Sequence, residues 1–438
     1  MSVAVRDLGR RLAGLWSSDR LLRGFSLLGL GELFIRLSRI VTAIVLARCL
    51  EPVELGVAAS AITCFEIVRI LANNGLGQMV IRAREEELAA TCNTAWAGMW
   101  AVCIAMGGIQ LAAGAILAEL TGRPELFAMV ACLVGVYLVM PFSMVQYWLL
   151  QRAHKLGTVA GINTAQVSTD NLLTAGLAIA GLGPWAIVLP KLVTAPIWLV
   201  GMRCAISWRR EREAGWVPFA EVWRFCLPIL TSEIMGVVRF QADKPLVGGI
   251  LGLEALGIYY FAFNAGYGLS LVLTNALAAA SFPYLAEARL AGRELIVRFE
   301  RTLVRLALPI AVLITLQSAA VFVYVPILFG ERWEPYTLIV AILALSATTN
   351  PVYDLSVHLL RAAGLPTSEM TASTLFTAVF MGAFALALPF GLAHGVAVLA
   401  LTTITLQIIF AAWARWRVLN HLDVTPSGGA YAPTAGAG

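Results

Sequence analysis

Residues 21–84 read LLRGFSLLGLGELFIRLSRIVTAIVLARCL, then EPVELG, then VAASAITCFEIVRILANNGLGQMVIRAR. The segment has two long apolar arms joined by a short turn that contains proline and glycine. Each arm reaches the length of about 20 residues that a helix needs to cross a bilayer. The segment therefore predicts a hairpin of two membrane-spanning helices, and the rest of the chain follows the same pattern.

Charged side chains lie inside both arms of this hairpin. The first arm carries Glu32, Arg36 and Arg39, and the second carries Glu66 and Arg69. Arg36 lies about 18 Å into the first arm at about 1.5 Å per residue, too deep to reach water easily. A central arginine costs about 2.5–3.5 kcal/mol on insertion scales, so an intramembrane charge is a candidate functional group.

The composition is that of a polytopic membrane protein. Of the 438 residues, 59% are hydrophobic and 13% are charged, and the mean hydropathy is +0.81. Soluble domains carry about 25% charged residues. The net charge of +5 does not indicate nucleic-acid binding, because the basic residues lie in short connections between apolar spans.

Apolar segments predict twelve transmembrane helices. They lie near 24–48, 55–79, 89–118, 125–150, 157–181, 184–204, 222–248, 255–280, 303–328, 335–360, 367–389 and 393–414. The odd-numbered connections hold few basic residues, namely Arg48, Arg123, Lys244 and Arg332, while the N-terminus and the even-numbered connections hold most of them. The positive-inside rule then places both termini in the cytoplasm.

An internal repeat appears at an offset of 201 residues. It aligns Arg23 with Arg224, Glu32 with Glu233, Gly56 with Gly257 and Asn74 with Asn275. We therefore expect two six-helix lobes in the same orientation, an arrangement that transporters use around a midplane site. The predicted division is a basic N-terminus with a candidate interfacial helix (1–23), an N-lobe (24–204), a cytoplasmic linker (205–221), a C-lobe (222–417) and a disordered tail (418–438).

Five stretches carry a resemblance to a known family. They are LARCLEPVELGV, ANNGLGQMVIRA, QADKPLVGGILGLEALGIYYFA, SFPYLAEAR and LFGERWEP. Together they resemble the Wzx-type flippases of lipid-linked oligosaccharides, within the multidrug/oligosaccharidyl-lipid/polysaccharide exporter superfamily. The resemblance runs from about Leu21 to Arg417. It implies two pseudo-symmetric six-helix lobes around a central cavity and an export function in O-antigen, capsule or exopolysaccharide synthesis.

The implied substrate is an oligosaccharide on polyprenyl pyrophosphate, moved from the cytoplasmic to the outer leaflet. Arginines bind such a diphosphate through charge-assisted, bidentate hydrogen bonds. The candidates are Arg36, Arg39, Arg69 and Arg239, with Lys191 as a weaker fifth. The resemblance suggests a cationic cavity without fixing any single residue. The lipid bilayer and the polysaccharide polymerase and export machinery are the other expected partners.

Buried carboxylates are the candidate sites for ion coupling, with H⁺ or Na⁺ as the ion and no cofactor or metal expected. The candidates are Glu32, Glu66, Asp170 and Glu233. A simpler interpretation is that Glu66 only neutralises Arg69, and that Asp170 forms a buried ion pair with Lys191.

Two further clusters have structural interpretations. Asp354, His358 and Arg361 have the spacing of a satisfied cluster at a helix end. Aromatic residues near span ends are expected to be interfacial anchors: Trp208, Trp216, Trp223, Trp333 and Tyr336.

Other functional classes fit the sequence less well. An enzyme is not expected, because the chain has neither a phosphate-binding loop motif nor an H-E-x-x-H metal motif. A glycan polymerase or glycosyltransferase would need a sizeable outer loop. A drug/cation antiporter would need an acidic cavity, and a lipid II flippase shares the charge pattern. The expected location is a bacterial inner membrane.

Overall fold

The computed structural model describes residues 20–288 and 293–424, and every regular element within those ranges is helical. Contacts divide the chain into two compact units. The first unit takes residues up to Gly248 together with Gly252–Gly257, and the second takes Gly249–Leu251 and the residues from Ile258 on. An all-α membrane fold is confirmed.

The first unit is built from long helices joined by short connections. Its helices are α1 (Arg20–Cys49), α2 (Pro52–Arg69), α3 (Leu76–Arg82), α4 (Leu88–Thr121), α5 (Pro124–Val139), α6 (Pro141–Arg152), α7 (Leu156–Ile179), α8 (Trp185–Ala205), α9 (Phe219–Gln241) and the start of α10 (Asp243–Ala262). α1 packs against α7, α7 against α8, and α4 against α5. Phe65 and Tyr137 stack in the core of this unit.

The second unit contains the remaining helices. They are α11 (Gly268–Ala286), α12 (Arg293–Thr302), α13 (Leu308–Tyr324), α14 (Thr337–Ser346), α15 (Asn350–Ala362), α16 (Pro366–Ala387) and α17 (Leu392–Val424). α15 lies between α11 and α17, and α16 packs against α17. Phe410 is fully buried against Tyr353, Phe376 and Trp413.

The division by contacts falls between Gly248 and Ile258, later in the chain than the predicted linker at 205–221. The reason is that α9 contacts α2 and α3 within the first unit. The lobes 24–204 and 222–417 stay a prediction. Of the predicted terminal segments, residues 20–23 belong to α1 and 418–424 to α17, and the rest lie outside the described ranges.

Eight helical segments of the described chain are long and apolar enough to cross a membrane, or nine if one bent pair counts as a single span. α1 is outside this group, since Glu32, Arg36 and Arg39 all lie in its central part. The chain is thus a multi-pass membrane protein, and the number twelve stays a prediction.

Several predicted spans are broken rather than continuous. The span at 125–150 bends by 53° between α5 and α6, where Pro141 cannot donate a helical hydrogen bond. The span at 222–248 is interrupted after Gln241, and the turn that follows it lies at Gly252, with φ 86°. A side chain at Gly248 would meet Leu256 at 3.1 Å, so the chain folds back at Gly252.

One predicted interfacial anchor is wrong. Trp333 is fully buried and stacks on Phe261, with ring centroids 3.9 Å apart. Trp216 and Trp223 are 51% and 54% exposed, as an anchoring role requires. The position of Trp333 near a span end therefore predicts its depth along the helix axis, but not whether its side chain points towards lipid or into the protein.

Two glycines that the repeat aligns make reciprocal backbone contacts inside the first unit. A Cβ added to Gly56 would lie 1.8 Å from the carbonyl oxygen of Leu253, and one added to Gly257 would lie 1.7 Å from that of Pro52. The two residues whose carbonyls are contacted, Pro52 and Leu253, are themselves separated by the repeat offset of 201 residues. This reciprocity is what the predicted pseudo-symmetry requires of α2 and α10 at their contact.

Candidate functional site

The two arginines of α1 lie at different angles to its exposed apolar stripe. Phe34, Leu37 and Val41 are 52%, 53% and 49% exposed, as expected of a surface that contacts lipid. Arg36 follows Phe34 by two residues, and Arg39 lies two residues from both Leu37 and Val41. Two residues correspond to about 200° around a helix of 3.6 residues per turn. Arg39 thus lies opposite this stripe, whereas Arg36 lies beside it, on the same face as Ile40, which follows it by four residues and is 38% exposed.

The two arginines differ in their surroundings. Arg36 is half-buried and takes part in at least one polar or electrostatic interaction. Arg39 is exposed and has no ion pair or hydrogen bond with any residue of the described ranges. Arg39 therefore contributes a positive charge that no described carboxylate compensates.

Polar contacts between α1 and α7 fix the rotation of α1. Thr42 Oγ1 donates to the carbonyl oxygen of Asn171 at 2.7 Å, and Asn171 Nδ2 donates to Ser38 Oγ at 2.9 Å. Ser38 and Thr42 are buried. Ser38, Thr42 and Asn171 were not among the predicted site residues, although hydroxyl residues four positions apart on one face of a charged span indicate such a contact.

Asp170 on α7 and Lys191 on α8 form the predicted ion pair. Lys191 Nζ lies 2.5 Å from Asp170 Oδ2, and the two side chains are 34% and 8% exposed. Asp170 Oδ1 is buried and has no hydrogen-bond partner in the described part of the chain. An unsatisfied buried acceptor costs about 1–3 kcal/mol. The pair neutralises Lys191 and leaves one carboxylate oxygen able to take a proton or a small cation.

The second arm holds another ion pair. Arg69 Nη2 lies 2.7 Å from Glu66 Oε2, so Glu66 does neutralise Arg69 as the simpler interpretation expects. The Arg69 side chain stays 50% exposed. Asn73 Nδ2 donates to Glu233 Oε2 at 3.2 Å, which ties α9 to the end of the second arm.

The structure brings the predicted site residues together in small groups. Asp170 meets Lys191, Glu66 meets Arg69, and Glu233 meets Asn73. Glu32 and Arg239 belong to the helices α1 and α9, and the structure describes their backbone but not their side chains.

A second polar network, whose residues were not predicted as a site, lies in the second unit. Asn350 Nδ2 donates to Tyr267 Oη at 2.9 Å, and Gln407 Nε2 donates to Asn350 Oδ1 at 3.0 Å. Tyr267 ends a π-helical turn whose Gly266 carbonyl accepts from Gln317 Nε2 at 3.0 Å. Side chains thus satisfy the backbone groups that a π turn frees from regular helix bonding.

The cluster on α15 is satisfied as predicted. His358 Nδ1 lies 2.7 Å from Ser281 Oγ, and Arg361 Nε donates to Glu369 Oε2 at 3.2 Å. These contacts give the histidine and the arginine structural roles in joining α15 to α11 and α16.

Comparison with known proteins assigns a family to this arrangement. The profile of the family described as "Polysaccharide biosynthesis protein" matches residues 45–338. The chain belongs to this family. The matched range includes the turn between the two arms of the first hairpin, the Asp170–Lys191 pair, and both Gly56 and Gly257.

One curated relative is the "Succinoglycan biosynthesis transport protein ExoT" of Rhizobium meliloti (strain 1021). It is 25% identical over 316 residues, which cover 70% of this chain and 62% of the relative. This member of the polysaccharide biosynthesis protein family therefore spans less than two thirds of the length of that relative.

Solved structures agree on the fold. An inward-facing multidrug resistance MATE family transporter of the MOP superfamily has a TM-score of 0.73 at 14% identity, over 89% of this chain and 96% of that one. The "Lipid II flippase MurJ, inward closed conformation" has a TM-score of 0.69 at 9% identity, over 91% of each chain. At these identities the likeness shows the fold alone.

Proposed function

We propose that this chain is a flippase that moves polyprenyl-pyrophosphate-linked oligosaccharide from the cytoplasmic to the outer leaflet of a bacterial inner membrane. The product would serve assembly of a surface polysaccharide such as O-antigen, capsule or exopolysaccharide. The family and the flippase-containing fold class support this role. Two parallel repeats of the predicted kind support alternating access.

The observation that carries the proposal is the placement of Arg36 and Arg39. Both lie in the middle of α1, and Arg39 lies on the side opposite its exposed apolar stripe and has no charge partner among the described residues. An unpaired guanidinium at that depth is costly unless it binds an anion. A diphosphate supplies two negatively charged groups suited to paired guanidinium donors. A drug/cation exporter would instead need surplus carboxylates there.

Coupling to an ion gradient is part of the proposal, with Asp170 as its site. One oxygen of this carboxylate holds Lys191, and the other is buried without a described hydrogen-bond donor. A proton on Asp170 would weaken the pair and free the Lys191 ammonium for an anion. Na⁺ could occupy the same oxygen. Glu32, Glu66 and Glu233 remain the other candidates.

A binding measurement tests the charge argument. Purified protein in nanodiscs is titrated with polyprenyl pyrophosphate and with polyprenol, for wild type, Arg39→Gln and Arg123→Gln. Arg123 is the control because it already pairs with Glu125 at 2.9 Å. We expect Arg39→Gln to weaken pyrophosphate binding about tenfold, the effect of one charge-assisted hydrogen bond, and to leave polyprenol binding unchanged. Equal affinities in all three proteins would contradict the site.

A further inference from the structure

A cavity of about 640 Å³ lies between the first turns of α16 and the last turns of α17. None of the residues of the proposed transport site lines it. Its polar end is formed by Thr367, Ser368 and Thr371 on α16 and by Arg417 on α17. A cavity of this size accommodates a ligand of several hundred daltons.

The lining changes from polar to apolar along the two antiparallel helices. Leu375, Phe376 and Ile409 lie at the other end of the cavity. Leu375 and Ile409 are 60% and 50% exposed, so this end opens onto the surface that contacts lipid. Thr367 and Leu375 lie eight residues apart, or about 12 Å along the helix axis. The cavity is therefore amphipathic over the length of a lipid headgroup and the start of its chains.

Two tryptophans line the cavity, Trp416 beside Arg417 at the polar end and Trp413 one turn towards the apolar end. Trp416 is 55% exposed. Tryptophan is enriched at the level of lipid headgroups, where one side of its ring is apolar and the other is wet. This placement puts the hydroxyl-rich end at the membrane surface and the apolar end in the hydrocarbon.

The polar end carries an uncompensated positive charge. Arg417 is exposed and forms no ion pair with a described residue. The neighbouring charges are already paired, because Arg415 binds Glu300 at 2.6 Å and Arg361 binds Glu369 at 3.2 Å. The charge of Arg417 therefore remains for a ligand.

The hydroxyl groups beside Arg417 are also available. Thr371 Oγ1 donates to the backbone carbonyl of Thr367 at 2.9 Å. The side-chain hydroxyls of Thr367 and Ser368 have no partner among residues 20–288 and 293–424. One guanidinium and two free hydroxyls supply the donors that a phosphodiester needs.

We propose that this cavity binds an anionic phospholipid. Its phosphate would accept hydrogen bonds from Arg417, Thr367 and Ser368, and its acyl chains would lie over Leu375 and Ile409. The positive-inside rule predicts that this end of the helices faces the cytoplasm, where anionic lipids attract basic residues close to a span. The apolar end favours a lipid over free phosphate.

Native mass spectrometry of the full-length protein tests the proposal. Delipidated protein is titrated with phosphatidylglycerol and with phosphatidylethanolamine, for wild type, Arg417→Gln and Arg415→Gln. We expect Arg417→Gln to lose about tenfold in phosphatidylglycerol affinity, the effect of one charge-assisted hydrogen bond. Arg415→Gln should match wild type, since Arg415 already pairs with Glu300. Equal binding by all three proteins would overturn the proposal.

Further measurements distinguish an anionic phospholipid from other possible occupants of the cavity. The double variant Thr367→Val/Ser368→Ala keeps the charge and should lose several-fold in affinity for phosphatidylglycerol, so unchanged affinity would also overturn the proposal. Preference for polyprenyl phosphate over phosphatidylglycerol at the same residues would show a substrate-lipid site instead. Stronger phosphatidylglycerol binding after deletion of residues 425–438 would show that the chain's own end occupies the cavity.

Discussion

Substitution of the reciprocal glycines should separate α2 from α10. An alanine Cβ at position 56 would lie 1.8 Å from the Leu253 carbonyl oxygen, and one at position 257 would lie 1.7 Å from the Pro52 carbonyl oxygen. Ordinary contact begins near 3.4 Å, so the two backbones must move apart by roughly 1.6 Å. A backbone carbonyl cannot rotate away as a side chain can. We therefore expect each of Gly56→Ala and Gly257→Ala to cost about 3 kcal/mol, the upper end of ordinary overpacking.

The two substitutions should not be additive. Once the helices have separated to admit one methyl group, the reciprocal contact is relieved as well. The double variant should therefore lose about as much free energy of unfolding as either single variant, with a coupling energy near 3 kcal/mol. Gly249→Ala is the matched control, since nothing lies within 4 Å of its added Cβ, and it should leave stability unchanged or raise it by about 0.4–1 kcal/mol.

Reversible unfolding of the purified full-length protein in mixed micelles measures these free energies. Single variants that behave like Gly249→Ala would show that the close approach does not exist. An additive double variant would show that the two contacts form independently and that the reciprocity has no energetic meaning.

Three other substitutions give separate tests. Asp170→Asn should abolish the dependence of transport on the ion gradient while Lys191 keeps substrate bound. Uptake into vesicles with and without an imposed gradient measures this dependence, and an unaltered dependence would show that Asp170 is not the coupling site. Arg152→Ala should lower the free energy of unfolding by about 1–3 kcal/mol, because Arg152 Nη1 donates to three backbone carbonyls at the end of α3. An unfolding free energy equal to that of wild type would contradict that role. Tyr137→Phe should cost about 1–3 kcal/mol, since its hydroxyl bonds the Phe65 carbonyl and Gln110 at 3.0 and 2.6 Å, and a wild-type unfolding curve would refute the buried bond.

Sequence alone predicted contacts that follow from charge. Asp170 and Lys191 are isolated charges in consecutive spans, and a buried charge needs a partner, so their pairing followed from the cost of leaving them apart. Glu66 and Arg69 are three residues apart on one helix, where local geometry brings them together.

Contacts that depend on helix rotation could not be predicted in the same way. The packing of α1 against α7 joins helices that are distant in the chain, so the spacing of Ser38 and Thr42 could indicate a polar contact but not that Asn171 is its partner. Trp333 lies near a span end, but burial of its ring depends on the facing Phe261. The fold-back at Gly252 depends on a positive φ angle that a glycine permits without requiring it.

A strain that lacks this protein tests the central claim most directly. Lipid-linked glycan is extracted and quantified after complementation with wild type or with Arg36→Ala at matched expression, and surface polysaccharide is measured in parallel. The account predicts that glycan on polyprenyl pyrophosphate accumulates inside the deletion strain, and that wild type but not Arg36→Ala restores export. Increased sensitivity to cationic drugs without any trapped glycan would contradict the account and favour a drug exporter.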